Sequence, residues 1–240
     1  MLTSGPPPPV ARGHEGANVG AETRIGRRER WTATVRPCDS VLMAKGAQTR
    51  EAIVDTAVEL AFRVGLGGLT IGELARAQQM SKSGLFAHFR SKEALQLAAL
   101  ARARETFVDL VVRPALTAPR GLPRIRELFE RWLDCGRGGV PGGCLFVKAA
   151  TEFDGQPGAL RDQLAQDHQD LFDTIGQICR SGISVHQVRP DVDAEQFAHD
   201  LYGVMLVFYL THRLLADPAA ETRARASFET LVAAVRTEAT

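Results

Sequence analysis

The sequence predicts an all-α protein: an N-terminal three-helix helix-turn-helix unit followed by a larger helical domain. Three observations predict it. Apolar residues recur at helical spacing from Thr49 almost to the C-terminus. No segment shows the alternation of a half-buried strand, and no Asn-Gly hairpin signal occurs. Serines and threonines precede the periodic segments, and glycine or proline follows them, as helix starts and stops require.

The chain has 240 residues, of which 45% are hydrophobic, enough for one large domain or two small ones. No apolar run approaches the roughly 18 residues of a membrane span, so a membrane is not an expected partner and a cytoplasmic location is. The formal net charge of +1 conceals a gradient: residues 43–100 carry seven Lys/Arg against five Asp/Glu, and residues 101–240 carry 16 against 19. A basic surface must therefore come from local clustering. The four cysteines, Cys38, Cys135, Cys144 and Cys179, include no CxxC pair. They read as reduced thiols, not as a disulfide or a zinc site.

Residues 1–42 differ from the rest. "SGPPPPVARGHEGANVG" is rich in Pro and Gly, and "RIGRRERW" is a basic cluster. Such composition predicts a disordered extension. It is either a basic arm adding phosphate contacts or a stretch upstream of a start at Met43; the patterned sequence just after Met43 favours the second.

From Thr49, Ile53, Ala57, Leu60, Ala61 and Val64 form one apolar face, and "GLGG" ends the helix. Thr70 to Glu73 fits a capping box, opening a short helix over Thr70–Gln78. Ser81 caps a second short helix, Lys82–Phe89, with Leu85 and Phe89 facing inward. Ser91 caps a longer helix that Pro114 should end. Further helices follow around Ile125–Leu133, Gly142–Phe153, Leu160–Ile178, Ala198–Leu215 and Phe228–Val235.

Two short helices joined by a tight turn behind a longer one make a helix-turn-helix, whose last helix enters the DNA major groove. Lys82 supplies charge at that helix start, Ser83 is a small donor and acceptor, and Gly84 lets the backbone approach closely. The free N–H groups of the helix start favour a phosphate. A lone Ser-Lys pair would signify only a solvated surface. Here the capping box, the turn and two capped helix starts occur in the right order within about thirty residues, the size of one supersecondary unit.

The segment "LTIGELARAQQMSKSGLFAHFRSKEALQLAAL" resembles the DNA-binding segment of the TetR/AcrR family of bacterial transcriptional regulators. The resemblance runs from about Lys45 to Leu100; the later helices match in size and number, and "GGCLF" at Gly142–Phe146 looks like a shared feature. It implies a DNA-binding domain over 43–92 and a ligand-binding and dimerisation domain over 93–240. It also implies that Thr70 and Lys92 contact phosphates, that Ser81, Lys82, Ser83 and Gly84 begin the recognition helix, and that His88 lies near the DNA backbone. Phe86 stands where members often have a phosphate-binding tyrosine; it can pack or touch a thymine methyl. Gln79 stands where members often have glycine, and a left-handed backbone there would cost about 1 kcal/mol.

The resemblance further implies a homodimer on a palindromic operator and a small, apolar effector that releases a repressor from DNA. Apolar stripes on both sides of Ala198–Leu215 independently suggest a dimer. The expected interface is Leu201, Met205, Phe208, Tyr209, His212, Phe228, Leu231 and Val235. Candidate effector contacts are Phe107, Trp132, Phe146, Phe153, His168, Phe172 and Tyr202, each of which can equally be core. Cys144 at a helix start is a candidate redox thiol, or simply a small buried side chain. No cofactor, metal site or catalytic residue is expected. An all-α enzyme would need His168 with Asp167 or Asp170, or Cys144 with a histidine. Asp167 and His168 are adjacent and diverge on a helix, and no P-loop or HExxH occurs. A helical interaction module that has lost DNA binding is kept open by Gln79 and Phe86, and opposed by Thr70, Lys82 and Lys92.

Overall fold

The computed structural model describes residues 37–139 and 144–237, with side chains from 46 onward. The expected extension lies outside the described residues up to position 36, including its basic cluster, as do Gly142 and Gly143 before Cys144.

Helix α1 spans Pro37–Gly68 and so begins well before Thr49, where the periodic pattern starts. Pro37 suits a first helical position, where its fixed φ fits and its missing N–H is not needed. Ile53, Ala57 and Ala61 are fully buried, and Val54, Val58 and Phe62 widen the face. Val64, expected on that face, is 49% exposed instead. Gly65 turns the chain with φ 81°, a left-handed backbone that favours glycine.

Helices α2 (Ile71–Ala77) and α3 (Lys82–His88) form the helix-turn-helix. Leu74 and Leu85 are fully buried and Phe89 nearly so; α2 packs on α1, and α3 packs on α2. Gln78 Nε2 donates to Thr56 Oγ1 (2.5 Å) and to the Ala52 carbonyl (3.2 Å), tying the turn to α1. Gln79 does adopt the left-handed conformation, with φ 52°.

Helix α4 (Lys92–Phe107) was expected to end at Pro114 and does not. A π-helical turn, Val108–Val112, carries it into α5 (Arg113–Thr117), and Pro114 lies in the first turn of that segment. The Arg113 N–H bonds the Val108 carbonyl, five residues back. The widened turn comes just where the proline ring would strain a regular helix and where its missing N–H would break the ladder.

Helices α6 (Leu122–Asp134), α7 (Leu145–Phe153), α8 (Ala159–Ser184), α9 (Ala194–Tyr209) and α10 (Ala220–Val235) complete the second domain. Helix α8 packs on α9, α9 on α10, and α6 on α8, while α1 packs on both α4 and α7. Val188 and Arg236 form an isolated antiparallel bridge that closes the C-terminal end of α10 onto the α8–α9 loop.

The expected interface residues require correction. Leu201, Met205, Phe208, Tyr209, Phe228 and Val235 are all buried within the subunit, so they are core side chains and not a free face. Phe228 stacks on Phe129 of α6 at 3.9 Å between ring centroids. Phe208 lies so close to Gly136 that a Cβ there would sit 2.6 Å from its ring. The Tyr209 hydroxyl reaches Cys135 Sγ at 3.9 Å. Only His212 and Leu231 keep partial exposure. The exposed apolar residues of this stretch are Leu206, Val207, Leu210, Leu214 and Leu215; Val207 is 60% and Leu214 74% exposed.

Candidate nucleic-acid interface and buried cavity

Three successive helices begin with a hydroxyl cap. Thr70 Oγ1 accepts the Glu73 N–H (3.1 Å), Ser81 Oγ accepts the Gly84 N–H (3.0 Å), and Ser91 Oγ accepts the Ala94 N–H (3.0 Å). Each cap satisfies one of the N–H groups that a helix start leaves free. The expected capping box is half formed: Glu73 Oε2 accepts from the Thr70 hydroxyl instead of its backbone N–H. A phosphate approaching Thr70 would therefore compete with Glu73 for that proton.

On α3, Leu85 faces inward while Ser81, Lys82, Ser83 and Phe86 are exposed, and His88 is half-buried. Phe86 is 49% exposed, an apolar ring presented to solvent beside a lysine. Ser81 and Ser83 hydroxyls lie 3.1 Å apart. A Cβ on Gly84 would meet Ser81 Oγ at 3.2 Å, so a side chain here would crowd the cap. Lys82 reaches across the turn to α2, its Cε 3.5 Å from where a Gly72 Cβ would stand. Lys92 is exposed but engaged: its Nζ donates to the Gly67 carbonyl at 2.7 Å. Arg50 lies over the Phe89 ring at 5.0 Å. Its cation–π contact holds α1 against the C-terminal end of α3.

The second domain holds a partly open cavity of about 90 Å³ between α4, α6, α7, α8 and α9. Five of the seven candidate contacts line it: Phe107, Trp132, Phe146, His168 and Tyr202. Phe172 stands behind, stacked on Tyr202 at 4.7 Å. Phe153 is buried elsewhere and does not reach this cavity, because it lies at the far end of α7 from Phe146.

One wall of the cavity is polar. Arg104 bridges Asp167 (3.3 Å) and Asp170, and Gln163 Nε2 donates to Asp167 Oδ1 at 2.9 Å. Burial raises the Asp167 pKa; the Gln163 hydrogen bond and Arg104 oppose the rise without cancelling it. The nucleus of this wall, Arg104 with Asp167 and Asp170, escaped the sequence reading. Its members come from α4 and α8, and only the packing of those helices brings them together.

Cys144 caps α7 and is buried. Burial raises its thiol pKa, and the nearby Val147 and Phe146 N–H groups do not overcome that. Cys135 is likewise pushed up to about 12 by burial. A thiol held protonated is a poor nucleophile, which supports the reading of Cys144 as a small buried side chain. Among the described residues no cluster of three His, Cys, Asp or Glu could hold a metal, and no helix is long and apolar enough to cross a membrane.

Residues 53–99 match the model for the N-terminal region of bacterial regulatory proteins of the tetR family. Residues 121–228 match the tetracyclin repressor-like C-terminal domain. Together they cover well over half of the chain. The chain belongs to the TetR family of transcriptional regulators. The relatives agree with that membership. The HTH-type transcriptional repressor NemR of Escherichia coli (strain K12) is 26% identical over 162 residues, covering 66% of this chain and 80% of its own. The crystal structure of a TetR transcriptional regulator from Chloroflexus aurantiacus superposes with a TM-score of 0.73 at 26% identity. It covers 81% of this chain and 100% of its own. AibR, crystallised with isovaleryl coenzyme A and operator DNA, shares the fold with a TM-score of 0.62 at 22% identity, covering 76% of this chain and 97% of its own. The N-terminal match contains α2 and α3, and most of the cavity lining lies within the C-terminal match.

Proposed function

We propose that this TetR-family regulator is a homodimeric repressor that reads a palindromic operator with α3 and leaves it when a small molecule fills the cavity. One observation carries the DNA-binding part. Helix α3 is anchored by the buried Leu85 and Phe89 while Ser81, Lys82, Ser83 and Phe86 stand free on its other side. That division suits a helix lying in the major groove, with Lys82 and the capped helix start meeting phosphate and Phe86 available to a thymine methyl. AibR, a fold relative, was crystallised with isovaleryl coenzyme A and operator DNA.

The dimer reading rests on the exposed strip Val207, Leu210 and Leu214, which continues α9 past Tyr209 through a π-helical turn. Beside it runs an apolar groove between α9 and α10, lined by Val204, Val207 and Ala224. A second copy covering this strip would place two recognition helices on one operator.

The test is binding to the protein's own upstream DNA across a salt series. Lys82→Ala should weaken binding and flatten the salt slope by about one phosphate contact per subunit, or about two per dimer. Lys92→Ala is the less clean variant, since Lys92 also holds Gly67. Absence of specific binding by a folded dimer, on this DNA and on a randomised pool, would overturn the reading in favour of a helical interaction module.

A further inference from the structure

Phe86 is the one aromatic among the large apolar side chains left exposed in the described residues; the others are valines and leucines. It sits on the free side of α3, and Ala87 is exposed beside it. Among the described residues no second ring and no cation packs on Phe86, whereas Phe89, one turn on, is buried under Arg50. Its backbone is fixed on both sides. Leu85 is fully buried, and its carbonyl accepts the Phe89 N–H at 3.1 Å. The ring is therefore carried by an ordered element, and little backbone freedom is lost when it meets a partner.

The rest of α3 is poor in groups that read bases by hydrogen bonding. Arginine or lysine holds guanine with two bonds, asparagine or glutamine holds adenine, and a carboxylate accepts from cytosine. The helix, "KSGLFAH", contains no arginine, asparagine, glutamine or acid. Lys82 is its one side chain able to grip guanine in that way, and it leans back over α2, with Nζ 3.9 Å from where a Gly72 Cβ would stand. The Ser83 hydroxyl lies 3.1 Å from that of Ser81, which already accepts the Gly84 N–H. What α3 offers beyond its first turn is apolar.

Only one base meets an apolar side chain on its own terms. The C5-methyl of thymine is the single apolar group that the four bases present in the major groove. Guanine, adenine and cytosine would each face the Phe86 ring with a donor or acceptor that the ring cannot satisfy.

We infer that Phe86 is a specificity-determining residue, which selects a thymine in each operator half-site by packing on its methyl group. This rests on the reading of α3 as the helix that enters the major groove, and adds to it the base and the atom that are read. Phe86 then acts through apolar contact alone, where a tyrosine would bring a hydroxyl.

The experiment starts from the full chain and a randomised duplex pool, from which the tightest-bound site is recovered. Each thymine of that site is replaced in turn by deoxyuridine, which removes the methyl and keeps the Watson–Crick hydrogen bonds. Wild type should lose roughly fourfold in affinity at one thymine of each half-site, and about fifteenfold when both are replaced. Phe86→Ala, a change at an exposed position, should bind the thymine site more weakly by a similar factor. It should not distinguish thymine from deoxyuridine at those two positions. A deoxyuridine penalty that survives in Phe86→Ala assigns the methyl to DNA shape or to another side chain, and overturns the inference. So does a wild-type scan with no penalty at any thymine, whether or not the variant folds. Specific binding without a methyl effect defeats the role of Phe86 alone, whereas no specific binding to any member of the pool defeats the regulator reading with it.

Discussion

The Glu152 carboxylate accepts the Gly67 backbone N–H at 2.7 Å, joining α7 of the regulatory domain to the turn that launches the DNA-binding helices. It does not act alone. Lys148 Nζ donates to the Phe62 carbonyl (2.6 Å), Gln96 Nε2 to Leu66 (2.7 Å) and Lys92 Nζ to Gly67 (2.7 Å). The last carbonyls of α1 are orphans that a helix end must satisfy, and here side chains of α4 and α7 do so. Helix α7 also carries Phe146 and Val147 into the cavity wall. One helix thus touches both the cavity and the clasp.

Glu152→Ala should loosen that clasp selectively. Loss of one charge-assisted hydrogen bond at an exposed site should cost about 1 kcal/mol of global stability. Amide exchange at Gly67 should quicken, while exchange in the middle of α8 stays at its wild-type rate. Uniform acceleration through both domains would show that Glu152 acts on overall stability and not on the turn.

Gln79→Gly should stabilise the protein. A non-glycine residue in the left-handed region costs about 1–2 kcal/mol, and Gln79 occupies it at φ 52°. Glycine brings back a penalty of about 0.5–1 kcal/mol through the unfolded chain. The net gain should be about 0.5–1 kcal/mol in urea denaturation. A loss would mean that the Gln79 side chain contributes more than its backbone costs.

The Arg126–Glu229 pair between α6 and α10 should give a defined pH signature. The Arg126 hydrogen bond holds the Glu229 pKa below its usual 4.5. A carboxylate with a lowered folded pKa contributes stability above its unfolded pKa and loses it as pH falls through the folded one. Both partners are about half exposed, so the contribution is at most about 1 kcal/mol. Comparing wild type with Glu229→Gln, the stability gap should be flat above about pH 5.5 and close below the unfolded pKa of about 4.5. A gap that persists unchanged at pH 3 would assign the effect to packing.

Much of the DNA-binding unit was legible because its signals are local. Thr70, Ser81 and Ser91 mark their helices within three residues, and Leu85 and Phe89 share a face by spacing alone. Helix α9 was less legible. From Leu201 on it is apolar almost all round, with no polar face to tell inside from outside, so spacing alone puts Leu201 and Met205 on the surface that Val207 and Leu210 occupy. The cavity was half legible. Its aromatics stand out in the sequence, whereas Arg104 and Asp167 become partners only when α4 meets α8.

Trp132 has a spectroscopic consequence. It is one of two tryptophans in the chain, Trp31 being the other, and its indole forms part of the cavity wall. Indole emission responds to the polarity of its surroundings and to groups placed against the ring. A molecule entering the cavity displaces whatever solvent faces Trp132 and puts its own atoms there. The protein therefore carries an intrinsic fluorophore at the proposed effector cavity, and a compound library can be screened by emission shift without attaching a dye.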